Sequence, residues 1–177
     1  KGVDVRVHPV FLPETHPLAA VSDVFNAIFV KGNAIGEAMF YGQGAGALPT
    51  ASAVIADIVA TARQLAKGAP GGIGCTCFEN KSFCQLDDTV SAYYMRLLVV
   101  DEPGVLGAIA TAFGDKGVSL KSVIQTRCMR EKAEIVVITH RVQHRKIRQA
   151  EQALLSLPVV AKISNVIRVE TPAEAMA

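Results

Sequence analysis

At 177 residues the chain is long enough for one large domain or two small ones, and a composition half apolar and 19% charged is that of an ordinary globular protein. A formal charge of +2 with scattered Lys and Arg argues against a nucleic-acid or anionic-membrane partner, and the apolar runs fall far short of the roughly 20 residues that span a bilayer. Cys75, Cys77, Cys84 and Cys128 lack the paired C-x₂₋₄-C spacing of zinc sites, so they read as reduced thiols of a cytoplasmic protein with no metal ligands.

The chain opens on Val3, Val5, Val7 and Val10, alternating as a strand with no leader visible, which reads as the interior of a longer polypeptide. Residues 24 to 41 form a predicted β-hairpin. Phe25, Ala27 and Phe29 alternate with Asn26, Ile28 and Val30, and Lys31-Gly32-Asn33 turns the chain into Ile35, Glu37, Met39 and Tyr41. A helix follows from about Thr50 to Ala66, with Val54, Ile55, Ile58, Val59, Ala62 and Leu65 at helical spacing and Thr50 or Ser52 available as cap. Residues 67 to 91, punctuated by Gly68, Pro70, Gly71, Gly72 and Gly74, read as a connector.

After the connector the pattern is βαββαβ. Met95, Leu97 and Val99 mark one face of a strand from Tyr93 to Asp101; Val105, Leu106, Ile109, Ala110 and Phe113 mark a helix stopped by Gly117. Val118, Leu120, Ser122 and Ile124 alternate as a second strand, and Glu134 to His140 makes a third. Ile147, Ala150, Leu154 and Leu157 line a second helix, and residues 159 to 169 supply the last strand. This order predicts a ferredoxin-like antiparallel sheet covered by two helices on one face. The strand AEIVVITHR carries no aromatic residue on which a base could stack, which argues against an RNA-binding variant of the fold. His140 and His144, among Arg141, Arg145, Lys146 and Arg148, read as a solvated basic face.

Between hairpin and helix lies YGQGAGALPT. Gly42-x-Gly44-x-x-Ala47 satisfies a relaxed dinucleotide fingerprint, but the acid that should follow a second strand is Asp57, inside the helix, so a free-standing Rossmann motif is disfavoured. Two readings stand. The glycines bring backbone close to a ligand in front of a helix N-terminus, or they let a strand turn sharply into a packed helix.

The run HPLAAVSDVFNAIFVKGNAIGEAMFYGQGAGALPTASAVIADIV resembles the C-terminal end of the catalytic region of homoserine dehydrogenase, with its NAI hairpin and YGxGAGxxPTAxxVxxD signature. Residues 92 to 171 resemble an ACT domain, the amino-acid-sensing module of many bacterial members of that family. The fold class expected is α+β: residues 1 to 66 as a remnant of the mixed-sheet catalytic domain, 67 to 91 as linker, and the ferredoxin-like ACT domain. The resemblance implies a parent enzyme that interconverts L-aspartate 4-semialdehyde and L-homoserine with NAD or NADP. It places Gly46, with Gly44, Ala45 and Thr50, beside the nicotinamide. The family's Rossmann glycines, catalytic Lys and carboxylates and metal site precede this part, so no catalytic residue is expected here and the fragment alone is expected to be inactive.

For the ACT-like half the resemblance implies an effector held at Asp101, Pro103, Gly104 and Val105 with Val118 and Ser119, at an interface in a homodimer or higher homo-oligomer. Amides at the first turn after Gly104 suit a carboxylate, and Asp101 suits an ammonium group. Pathway logic makes threonine the expected effector. The alternatives are that Pro103-Gly104 only starts a helix, and that the domain only dimerises the enzyme.

Overall fold

The computed structural model describes residues 2–68, 77–129 and 132–170, and the chain divides into two units. One is Glu14–Asn80; the other joins the residues up to Pro13 to those from Lys81 onward. In chain order the elements are β1 (Val10–Phe11), β2 (Phe25–Gly32), β3 (Gly36–Gln43), α1 (Ala47–Ala66), β4 (Val90–Val100), α2 (Val105–Asp115), β5 (Leu120–Met129), β6 (Lys132–Thr139), β7 (Val142–Gln143), α3 (His144–Leu155) and β8 (Val160–Val169). Short 3₁₀ turns occupy Pro17–Ala20 and Leu86–Asp88.

In the unit of residues 14–80, β2 and β3 pair antiparallel from Phe25↔Gln43 to Gly32↔Gly36. The predicted alternation is visible: Phe25, Ala27 and Phe29 are half-buried, whereas Asn26, Ile28 and Val30 are exposed. Phe25 stacks on Tyr41 with ring centroids 4.9 Å apart, and His16 stands edge-on to Phe29 at the same separation. Helix α1 has the expected apolar stripe, yet none of its residues is buried: Val54, Ile55 and Ile58 are 52%, 57% and 56% exposed. An amphipathic helix is stabilised mainly by packing its apolar side. Within this unit that packing is missing.

The second unit has a real core. Its main sheet runs β1-β8-β4-β6-β5, with β7 paired to the start of β4. Strand β4 lies between β6 and β8, antiparallel to both, and β1 joins β8 in parallel. Met95, Leu97 and Val99 on one side of β4 are fully buried among Ile109 and Phe113 of α2, Ile147, Ala150 and Leu154 of α3, and Ala133, Ile135 and Val137 of β6. This is the βαββαβ sheet with two helices that the periodicity predicts. Where β6 ends, the Thr139 hydroxyl accepts the Tyr93 N–H at 3.0 Å and donates to the His140 carbonyl at 2.8 Å, so a fully buried polar group is satisfied.

Two expectations need correction. The opening valines form a strand only at Val10–Phe11; Val7 is fully exposed, and Val3 makes a single bridge to Phe83. A strand requires a partner edge along its length, and β8 offers one only at Arg168 and Val169. The described second half of the predicted connector is also structured. The Thr89 carbonyl accepts the His144 N–H at 2.9 Å, and Asp88 and Asp87 lie 3.8 and 3.9 Å from Arg145 and Arg148. Pro70, Gly71, Gly72, Gly74 and Cys75 lie outside the described residues.

Leu97→Ala should cost about 2–5 kcal/mol because the close-packed site cannot collapse around the cavity. Leu106→Ala, on the exposed side of α2, should stay within about 0.5 kcal/mol. Urea denaturation of the two variants followed by circular dichroism measures the contrast.

Candidate functional site

The glycine turn is built by two local demands. The Gly44 N–H donates to the Val24 carbonyl at 2.8 Å, and a Cβ at Gly44 would overlap the Asn26 carboxamide. Gly46, at φ +129°, is the N-cap of α1, and its carbonyl accepts the Thr50 N–H at 3.1 Å. The helix therefore starts at Ala47, three residues earlier than its sequence pattern suggests, and no side chain caps it. Pro49 permits this, because its fixed φ suits a first turn and its missing N–H would have no helical partner there. Thr50 is a helical residue rather than the cap. The free donors of the first turn are the amides of Ala47 and Leu48. Gly44, Ala45, Gly46 and Thr50 are all exposed, so this turn presents mostly backbone.

At the second candidate site, Asp101 is exposed and accepts from the Gln125 side chain at 3.4 Å. Gly104, at φ +90°, caps α2, with open space where a Cβ would stand. Side chains there pay for left-handed backbone, which glycine avoids. Pro103 and Ser119 are exposed, and the Ser119 carbonyl accepts the His140 N–H at 2.9 Å. Val105 and Val118 are 5% and 3% exposed, so their side chains belong to the core and only their backbones can face a ligand. The loop combines a carboxylate with a helix N-terminus, a pairing suited to the two charges of an amino acid.

His144 departs from the predicted solvated face. It opens α3 half-buried, its Nδ1 3.0 Å from the Tyr93 hydroxyl. Burial, and then the nearby positive charge of Arg168, hold its pKa below the usual range. The basic run hid this because Tyr93, its partner, lies 51 positions earlier. Cys77 and Cys84 are exposed, and no metal-binding cluster occurs among the described residues.

The family model described as "Homoserine dehydrogenase" matches residues 1–59, and that described as "ACT domain" matches residues 93–159. A Synechocystis protein named homoserine dehydrogenase is 39% identical over 96% of this chain and 40% of its own length. One from Corynebacterium glutamicum is 39% identical over 96% of this chain and 38% of its own length. The crystal structure of a homoserine dehydrogenase from Thiobacillus denitrificans superposes with a TM-score of 0.82 at 32% identity, covering 96% of this chain and 39% of that one. The chain thus spans about 40% of the length of the curated relatives it matches. No described helix is long and apolar enough to cross a membrane.

Gly44→Ala should force Asn26 aside and loosen the turn, raising exchange of the residue-44 amide at least several-fold, the equivalent of about 1 kcal/mol. Adding Asn26→Gly should recover part of the loss, read by hydrogen exchange across the double-mutant cycle. For His144 the depressed pKa means that the unfolded chain takes up the proton first. Its contribution to stability is therefore present above about pH 6.5 and lost as pH falls through the folded pKa. Urea midpoints from about pH 8 to about pH 5 should fall less steeply in His144→Gln than in the wild type.

Proposed function

We propose that this chain, which joins a homoserine dehydrogenase segment (residues 1–59) to an ACT domain (residues 93–159), is the C-terminal part of an NAD- or NADP-dependent homoserine dehydrogenase. The observation that carries the reading is α1, an amphipathic helix with no buried residue. Its apolar stripe packs against an upstream nucleotide-binding portion of the enzyme, which also supplies the catalytic groups. The parent reaction interconverts L-homoserine and L-aspartate 4-semialdehyde in the cytoplasm, on the route to threonine, methionine and isoleucine. The nicotinamide supplies the hydride acceptor in one direction and the hydride donor in the other.

The residues of the glycine turn suit that cofactor. Gly46 holds a positive φ, the turn is exposed, and the α1 N-terminus begins beside it. Gly44, Ala45 and Gly46 form the wall that approaches the nicotinamide end, with Thr50 offering a hydroxyl one turn on. Their work is to shape and close the pocket, since backbone without bulky side chains allows close approach. Proton transfer belongs to the upstream part.

The ACT domain binds an amino acid, threonine, at Asp101, Pro103, Gly104 and Val105 with Val118 and Ser119. The carboxylate meets the first-turn amides of α2 and the ammonium meets Asp101. Two copies of the chain associate as a homodimer or higher oligomer and transmit occupancy to the active site, a coupling that is typically worth about 1–3 kcal/mol.

The 177 residues alone should form no NADH or NADPH from homoserine, and fusion to an upstream nucleotide-binding portion should restore turnover. Turnover by the chain alone would overturn this reading. Calorimetry of the chain with threonine should give saturable heat. Silence with threonine, isoleucine, methionine and lysine would leave the domain as a dimerisation module.

A further inference from the structure

A cavity of about 310 Å³ lies within the ACT-containing unit, far from the loop at Asp101. Its walls include His8, Tyr93, His144, Arg148, Glu151 and Arg168. Tyr93 and Asp101 are eight residues apart on an extended strand, about 26 Å. The two places are separate sites.

The cavity holds one mismatch. Arg168 Nε is buried and meets no acceptor among the described residues, although a buried N–H without a partner is costly. The guanidinium is held in place over the Tyr93 ring, 5.8 Å from its centroid. Arg148, also on the wall, lies 3.9 Å from Asp87 and is partly engaged. His144 favours its neutral form, because burial and Arg168 both oppose its charge. Glu151 is half-buried, and burial raises its pKa against the opposing pull of Arg148. The cavity thus offers a guanidinium whose Nε lacks an acceptor and a half-buried carboxylate. A phosphate would give Glu151 no partner, and a plain amine would give the Arg168 Nε no acceptor.

We infer that this cavity is a binding site for a free α-amino acid, with the ligand carboxylate on Arg168 and its ammonium group on Glu151. A zwitterion brings an acceptor to the Arg168 guanidinium and a cation to the half-buried Glu151, and leaves the net charge of the site unchanged. The volume is at the lower end of the range for small-molecule sites. His8 lies in the segment that matches homoserine dehydrogenase, whereas Tyr93, His144 and Glu151 lie in the segment that matches the ACT domain. An occupant would therefore touch both family segments at once, which the loop at Asp101 cannot offer. This goes beyond the sensor site proposed above and does not depend on it.

The test follows the Arg168 Nε–H resonance in ¹⁵N spectra of the full chain, assigned by its loss in Arg168→Lys. Alanine and threonine should move it saturably. Propionate should bind roughly tenfold or more weakly, since it lacks the charge-assisted bond to Glu151, and propylamine should leave the resonance unmoved. Glu151→Gln should reduce alanine to the level of propionate. No movement with any carboxylate at millimolar concentration would overturn the inference, as would equal affinity for propionate and alanine or tighter binding of inorganic phosphate. Movement confined to the Gly104 and Val105 amides would sink this site while leaving the loop sensor standing; movement at Arg168 with those amides silent would do the reverse.

Discussion

Burial of one face of β4 holds the ACT unit together. Tyr93, Met95, Leu97 and Val99 lie in line on the central strand, each at most 2% exposed, and meet both helices and the facing residues of β6. Each such side chain contributes about 1.5–3 kcal/mol of transfer free energy. Because β4 is bonded on both edges, its register also sets that of β6 and β8. The loop that follows β4 and the cavity beside Tyr93 at its start are therefore held at opposite ends of one rigid strand. Each site inherits its position from a strand that cannot slip without turning its apolar face to water.

The unit of residues 14–80 is organised differently. It has ladder hydrogen bonds and aromatic stacks but no buried residue in α1. A two-stranded hairpin is marginal by itself, and a helix with its apolar stripe in water gains little from propensity alone. Its sequence is nevertheless strongly patterned. That combination is what a segment looks like when its complementary surface lies outside it, and the chain covers only about 40% of the length of its relatives.

Residues 2–13 lie in the stretch that matches the dehydrogenase family yet belong to the ACT-containing unit. Phe11 stands edge-on to Tyr94 at 5.0 Å, its carbonyl accepts the Glu170 N–H at 2.9 Å, and β1 extends the sheet beyond β8. This edge of the ACT sheet is thereby covered at Arg168 and Val169. Phe11 itself belongs to the dehydrogenase-matching segment, so residues of that segment are hydrogen-bonded directly to the sheet that carries the ACT match.

Local pattern was enough for most of the fold. The alternation at Met95, Leu97 and Val99, the helical spacing at Ile147, Ala150 and Leu154, and the turn signals at Gly104 and Gly117 dictate the order βαββαβ, because each side-chain period matches one backbone geometry. The glycine turn was legible as a special backbone, and its family signature was legible as residue types at fixed spacing. What the chain could not reveal locally was which distant groups would meet. The pairing of β1 with β8, the tie of His144 to Tyr93 and the stranded Arg168 Nε all depend on contacts between positions far apart in sequence. Periodicity records which side of an element avoids water; only the assembled structure decides what that side, or a charge at its rim, is placed against.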